Sequence, residues 1–269
     1  SEYDVARLVD QGLKSYSQKL RERKQVHVTT KFLRDYNSGS WRKFQNYVKD
    51  LSDSYTQLDE DLTFANGEVN KASYASKRLP YPLEDGPFEA YDQLVSTLYD
   101  EEERAKIEWA IGAVVAGKAK HIQKFVVFYG APGSGKGTAI NIITRLFEGY
   151  YSVFEAKALT SSSNSFSTEA FKSNPLVGIQ HDGDLSRVED NTKLNSIVSH
   201  EEMLINEKFK SGYMSRINAF LFMGTNKPVK ITDAKSGITR RLIDVHPSGG
   251  RVSAAEYHAL VSRIEFELG

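Results

Sequence analysis

The run Gly130-Ala131-Pro132-Gly133-Ser134-Gly135-Lys136-Gly137-Thr138 combines four glycines with a lysine and a closing hydroxyl. Glycines let successive backbone N–H groups curl around phosphate oxygens, and a helix that follows points its positive end at the same anion. In such a loop the lysine reaches the β- and γ-phosphates. The context fits: the apolar run Phe125 to Tyr129 comes before, as a buried strand would, and a helical pattern follows through about Phe147. The chemistry implied is binding of a nucleoside triphosphate, ATP with Mg²⁺, and its hydrolysis. The bland alternative is a glycine-rich turn without a ligand. The residue after Lys136 is Gly137, where the usual pattern has Ser or Thr. Thr138, one position later, either holds Mg²⁺ or contacts a phosphate instead.

Hydrolysis needs a carboxylate at the end of a neighbouring strand, for the metal or for the attacking water. The stretch Leu176 to Asp184 supplies Asp182 and Asp184. Asp182 is the expected metal ligand and Asp184 the group that orients water, or the two are reversed. A solvated acidic turn is the alternative, and His181 beside them reads as structural. A second apolar strand, Ala219 to Met223, leads into Gly224-Thr225-Asn226, where the Asn226 amide can position water at the γ-phosphate. Thr239-Arg240-Arg241 then precedes the apolar run Leu242 to Val245. Either Arg240 or Arg241 can reach a neighbouring subunit's nucleotide and stabilise transition-state charge. From Lys208 to Arg241 there are eight Lys/Arg and only Asp233 opposes them. Met203 to Ile205 reads as a strand and Lys208-Phe209-Lys210 as a hairpin tip, which grips a nucleic-acid backbone or is a solvated basic surface.

Four strands alternating with helices around these residues argue for an α/β architecture with a parallel sheet between helices. Before it, residues 88–117 read as helical, with Ile107, Ala110, Ile111, Val114 and Val115 on one face and Gly117 as the stop. The Pro/Gly-rich stretch 79–87 reads as a linker. Upstream, 3–23 reads as an amphipathic helix, 37–40 as a helix-breaking turn, and Asn66-Gly67 as the turn of a hairpin that begins with Leu62-Thr63-Phe64. The expected organisation is a small, mainly helical N-terminal appendage over 1–80, a helical segment over 81–120, the core over 121–250 and a last helix over 251–269.

The bulk numbers exclude some functions. The chain has 269 residues, 40% of them hydrophobic, enough for one large core and a smaller part. Cysteine is absent, so disulfides and thiolate metal sites are excluded, and a reducing, cytoplasmic setting is expected. No apolar run approaches the about 20 residues a membrane helix needs. The formal net charge is +0, so any nucleic-acid site is a local patch. The chain begins with Ser1, which reads as part of a longer protein.

Taken in order, these motifs resemble the superfamily 3 helicases, a branch of the AAA+ ATPases found in replication proteins of viruses, phages and plasmids and often fused to a primase. Residues 130–138 resemble their Walker A motif, Asn174 to Asp182 their Walker B strand, and Glu201 to Tyr213 their DNA-contacting hairpin segment. Met223 to Pro228 resembles their sensor motif, and Thr239 to Leu242 their arginine-finger region. The segments Leu62 to Gly67, Lys77 to Phe88 and Ile107 to Val115 resemble the helical part that precedes the motor in poxvirus- and phage-type primase–helicases. The resemblance covers roughly residues 60–250. It implies an AAA+ core, a homo-oligomeric, hexameric ring on single-stranded DNA, and a primase or polymerase domain upstream. Three features depart from the family: Ser134-Gly135-Lys136-Gly137 in the loop, Asp182-Gly183-Asp184 instead of adjacent acids, and no C-terminal DNA-binding module after the last strand. The loop also resembles that of adenylate kinases, but about 120 residues precede it and no Asp-Gly-Phe-Pro-Arg segment is found. A nucleotide-gated DNA-binding or assembly module with little hydrolysis, and an AAA+ loader, are the other readings.

Overall fold

The computed structural model describes residues 8, 11–12, 14–15, 18–19, 22, 39, 42–46, 62–68, 77–159, 166–183, 191–206, 208, 212–227 and 237–269. Its contacts divide the chain into Ser1–Leu58 and Asp59–Gly269. In the first unit the described residues are all helical. They include Leu8, Gln11, Gln18 and Glu22 of the helix expected over 3–23, and Gln18 donates to Glu22 one turn on at 3.3 Å. The apolar positions Val5, Val9, Leu13 and Leu20 lie outside the described residues. Gly39 is helical rather than part of a turn, and Asn37, Ser38 and Ser40 lie outside the described residues.

The larger unit is built on a parallel five-stranded sheet. Its strands are β3 (Phe125–Tyr129), β4 (Tyr151–Val153), β5 (Val177–Gln180), β8 (Phe220–Thr225) and β9 (Leu242–Val245), in the spatial order β4-β5-β8-β3-β9. The apolar runs explain the centre of this order. Every residue of β8 is buried, and so is every residue of β3 but Tyr129. Successive side chains of a strand point to opposite faces. Val126, Phe128, Phe220 and Phe222 therefore enter one hydrophobic cluster, and Phe125, Val127, Leu221 and Met223 enter the other. Strands apolar on both faces are stable only with cover on both sides. On the first face lie α1 (Glu89–Leu98), α2 (Glu101–Val115), α3 (Lys136–Leu146) and α6 (Ala254–Ile264), which contribute Leu94, Ile107, Ile140 and Leu260. On the second lie α4 (Ala156–Leu159) and α5 (Thr192–Val198), with Leu159, Leu194 and Ile197. The architecture is the α/β class expected. The strand expected at 176–179 begins and ends one residue later, and the one expected at 219–223 runs on to Thr225.

Helix ends follow local chemistry. The helical run expected over 88–117 is two helices, because Tyr99 is extended and Asp100 accepts from the Glu103 N–H at 3.0 Å, capping α2. Three glutamates in the first turn of α2 face its positive end. Gly117 ends α2 as expected: it sits at φ 65°, with Lys118 N–H on Ala113 O (2.9 Å) and Gly117 N–H on Val114 O (3.0 Å). Ser253 caps α6 by accepting from Glu256 N–H.

The expected hairpin at Asn66-Gly67 is corrected. β1 (Leu62–Thr63) pairs in parallel with β2 (Lys77–Arg78), so no two-residue turn can join them. The turn itself forms, with Gly67 N–H on Phe64 O at 2.9 Å. Asn66 then uses its amide to bracket Leu83, donating to its carbonyl and accepting from its N–H, both at 3.0 Å. The stretch 79–87 is irregular but anchored: Leu79 is fully buried and the Tyr81 hydroxyl donates to Leu146 O.

Two glycines make opposite demands. At Gly117 a Cβ would meet nothing, so Gly117→Ala should cost only the positive-φ penalty, about 1 kcal/mol. At Gly224 a Cβ would stand 2.3 Å from the His181 carbonyl oxygen, so Gly224→Ala should cost about 3 kcal/mol. Denaturant midpoints of the two variants check this order; equal losses would contradict the close strand approach at Gly224.

Candidate nucleotide-binding site

The phosphate loop joins β3 to α3 at the carboxyl edge of the sheet. Gly133 and Gly135 have φ 75° and 105°, the left-handed region that favours glycine. Leu98 of α1 packs directly under Gly135, where a Cβ would meet its side chain at 3.1 Å, and the Tyr99 hydroxyl donates to Gly135 O at 3.2 Å. The helices before the sheet therefore brace the loop from below. Lys136 opens α3 and is 7% exposed. Its ammonium donates back to the Gly130 and Ala131 carbonyls at 2.7 and 2.8 Å, so the side chain spans the loop that it belongs to. Burial lowers its pKa, and the Asp182 charge works the other way. Thr138 lies half-buried in the first turn of α3.

The ends of β5 and β8 meet this loop. The Gly130 N–H donates to Thr225 O at 3.3 Å, and the Gly183 N–H donates to Gly224 O at 2.7 Å. Three chain segments are thus tied in a row: the loop to β8, and β8 to the end of β5. The Thr225 hydroxyl brackets Lys227, contacting its N–H and its carbonyl at 3.1 and 3.0 Å, which turns Asn226 outward. Asn226 Nδ2 then donates to both oxygens of Asp182, at 3.2 and 3.3 Å. The structure brings Lys136, Asp182 and Asn226 to one edge. Asp184 lies outside the described residues. His181 is exposed and lines a side cavity of about 320 Å³ with Thr138, Asn141 and Arg145.

A cavity of about 630 Å³ opens on the outer side of the loop. One wall is Pro132 to Thr138 without Ser134; the other is Leu94, Leu98, Val252 and Tyr257, with Gly250 and Arg251 at its rim. A polar cradle joined to an apolar and aromatic wall suits a nucleotide, with phosphates on the loop and the base against Leu94 and Tyr257. These residues carry no local sequence signal, because α1 and the 250–257 segment meet the loop only in the fold.

The two candidate arginines separate. Both lie where the chain enters β9, at the amino edge of the sheet; the Phe125 N–H donates to Arg241 O at 2.9 Å and Lys124 Nζ to Arg240 O at 2.5 Å. The phosphate loop begins four residues further along β3, about 13 Å away at ~3.3 Å per residue. Arg240 is exposed. Arg241 is 8% exposed and donates to Gly237 O (3.0 Å) and Ser199 Oγ (2.7 Å). Burial, then Arg240, lowers its pKa against the pull of Glu201.

The expected hairpin is present as β6 (Glu202–Ile205) and β7 (Tyr213–Arg216), paired antiparallel. Lys208 is exposed in the turn between them, and Phe209 and Lys210 lie outside the described residues. Among the described residues no group of three His, Cys, Asp or Glu could hold a metal, and no helix is long and apolar enough to cross a membrane.

The family of unknown function DUF5906 matches residues 128–241, less than half of the chain. That span runs from the phosphate-loop strand to Arg241. No curated protein matches the sequence. The fold is shared with the C-terminal region of NrS-1. Its apo A form is 18% identical with a TM-score of 0.53, over 70% of this chain and 45% of that one. A second apo structure, of residues 305–718, is 17% identical with a TM-score of 0.53, over 70% and 46%. The match spans less than half the length of these proteins.

Tyr257→Ala should weaken ATP binding about tenfold, the loss of about 1.4 kcal/mol of base contact, and Lys136→Ala should weaken it further. Titration with a fluorescent ATP analogue reads both. Wild-type affinity in Tyr257→Ala would remove the base from this wall.

Proposed function

We propose that this chain is the ATP-hydrolysing motor domain of a DNA helicase of the superfamily 3, AAA+ type. It works as one subunit of a ring, probed most simply as a hexamer, on single-stranded DNA. The observation that carries the reading is the division of labour between the two edges of the sheet. Lys136, Asp182 and Asn226 converge at the carboxyl edge, while Arg240 and the β6–β7 hairpin root lie toward the amino edge. One chain cannot bring Arg240 to its own phosphates across β3, so Arg240 serves a neighbouring copy. Arg241, buried on Ser199 and Gly237, does not reach out.

In this reading the loop N–H groups and Lys136 hold the β- and γ-phosphates, Lys136 exchanging its own loop carbonyls for phosphate oxygens. Asp182, an exposed carboxylate beside Lys136, and the Thr138 hydroxyl would hold Mg²⁺, with phosphate and water filling its other positions. Mg²⁺ neutralises charge on the phosphates. Asn226 fixes the Asp182 carboxylate and turns its amide toward the γ-phosphate and the attacking water. Arg240 of the next copy stabilises charge on the transferring group. Lys208, with Phe209 and Lys210, contacts the DNA backbone. A primase or polymerase domain upstream and a cytoplasmic setting belong to the same proposal.

A second reading, a nucleotide-gated DNA-binding or assembly module with little turnover, is favoured by Gly137, which puts no hydroxyl directly after Lys136.

Phosphate release from ATP and Mg²⁺, with and without single-stranded DNA, separates the two. The motor reading expects DNA to raise the rate, Lys136→Ala to abolish it, and Asn226→Ala to lower kcat about 100-fold with KM little changed. Binding of ATP and DNA without release in any condition would reject the motor in favour of the module. Lys208→Ala should lower the salt slope of DNA binding by about 1; an unchanged slope would remove the hairpin tip from the DNA contact.

A further inference from the structure

The pocket that holds Arg241 is built for it. Gly237 has φ 73°, and a Cβ there would stand 2.7 Å from Arg241 Nη1, so only glycine leaves room for the guanidinium. The guanidinium reaches from the lead-in to β9 to Ser199, the first residue past α5. Its Nε is buried without a hydrogen-bond partner.

Ser199 begins the root of the hairpin. His200 follows at φ 55°, and its ring contacts Ile217 O through Nδ1 (2.9 Å) and Ile122 O through Nε2 (3.3 Å). Glu201 folds back on α5, its N–H on Ser196 O at 3.0 Å and its carboxylate accepting from Ser196 Oγ at 2.7 Å. Strand β6 starts at the next residue. The root is therefore fixed to α5, to the exit of β7 and to the lead-in to β3, and Arg241 adds the connection to β9.

We propose that Arg241 is a positioning residue that couples Arg240 to the β6–β7 hairpin: a displacement of the exposed Arg240 on a neighbour's nucleotide moves Arg241, and through Ser199 the hairpin root. A buried guanidinium cannot let go of its acceptors without leaving its charge unpaired, so Ser199 follows it. The open Nε gives a second pairing arrangement somewhere to go, as a two-position link requires. The proposal rests on the motor reading for the identity of the neighbour's ligand, but the link itself does not.

The test compares wild type, Ser199→Ala and Ser199→Thr in the full chain. Phosphate release is measured with and without single-stranded DNA, and amide hydrogen exchange is measured over Glu202–Ile205 and Tyr213–Arg216. Ser199→Ala should keep basal kcat and KM for ATP within about twofold and lose at least fivefold of the stimulation by DNA. Its hairpin amides should exchange at least tenfold faster while those of α3 are unchanged. Ser199→Thr, which keeps the hydroxyl, should restore both. Wild-type stimulation with wild-type exchange in Ser199→Ala would overturn the link, as would loss of basal turnover in parallel with stimulation. If no variant, wild type included, releases phosphate, the motor reading fails by itself. Exchange then decides the link: faster hairpin amides in Ser199→Ala, rescued by Ser199→Thr, uphold it, and unchanged amides sink it.

Discussion

At Gly224 the backbone of β8 comes so close to the turn after β5 that no side chain fits between them, and the Gly183 N–H closes the gap on Gly224 O. The rest of the candidate site hangs on this contact. It sets Asp182 opposite Asn226, and through Thr225 O it fixes the first amide of the phosphate loop. A glycine inside an otherwise apolar strand weakens it unless another backbone needs the space. Here the cost is offset by the burial of Phe220, Leu221, Phe222 and Met223 on both faces of the sheet, each side chain contributing about 1.5–3 kcal/mol.

A parallel sheet has two chemically different edges, and this chain uses both. The carboxyl edge collects the loop, the acid and the amide, because each follows a strand of the same direction in neighbouring positions. The amino edge collects what precedes strands: Arg240 and Arg241 before β9, His200 and Ile217 around the hairpin, and Ile122 and Lys124 before β3. Their separation by the length of β3 makes the molecule complete for holding a nucleotide and incomplete for finishing its hydrolysis unless copies meet edge to edge. The small number of groups that bind across the amino edge makes Arg241 a natural relay within it.

Much of this was legible in the residues, and the failures are instructive. The phosphate loop, β3 and β9 are local signals, since glycine spacing and apolar runs depend little on what lies far away. The Asn66-Gly67 turn is also local, and it forms. Its hairpin does not, because pairing is decided by Leu79 and Tyr81 reaching the core, which no short window shows. The break at Tyr99-Asp100 was missed because apolar periodicity runs on either side of it, whereas the Asp100 cap identifies it afterwards. Asp182 and Asn226 could be named, but not their mutual hydrogen bonds. Arg240 and Arg241 are equivalent as a sequence; only the space beside Gly237 and the hydroxyl of Ser199 make one buried and the other exposed. Leu94 and Tyr257 gave no signal at all, since their meeting with the loop is a property of the packed helices.

The central claim is that one nucleotide site is completed by two copies of the chain. The most direct measurement mixes Arg240→Ala subunits with Lys136→Ala subunits, each inactive alone, and follows phosphate release in the presence of ATP, Mg²⁺ and single-stranded DNA. The account predicts that the mixture regains activity, because the intact loop of the first and the intact Arg240 of the second meet at a shared edge. A mixture as inactive as its components, with mixed oligomers demonstrated, would contradict it and return catalysis to a single chain.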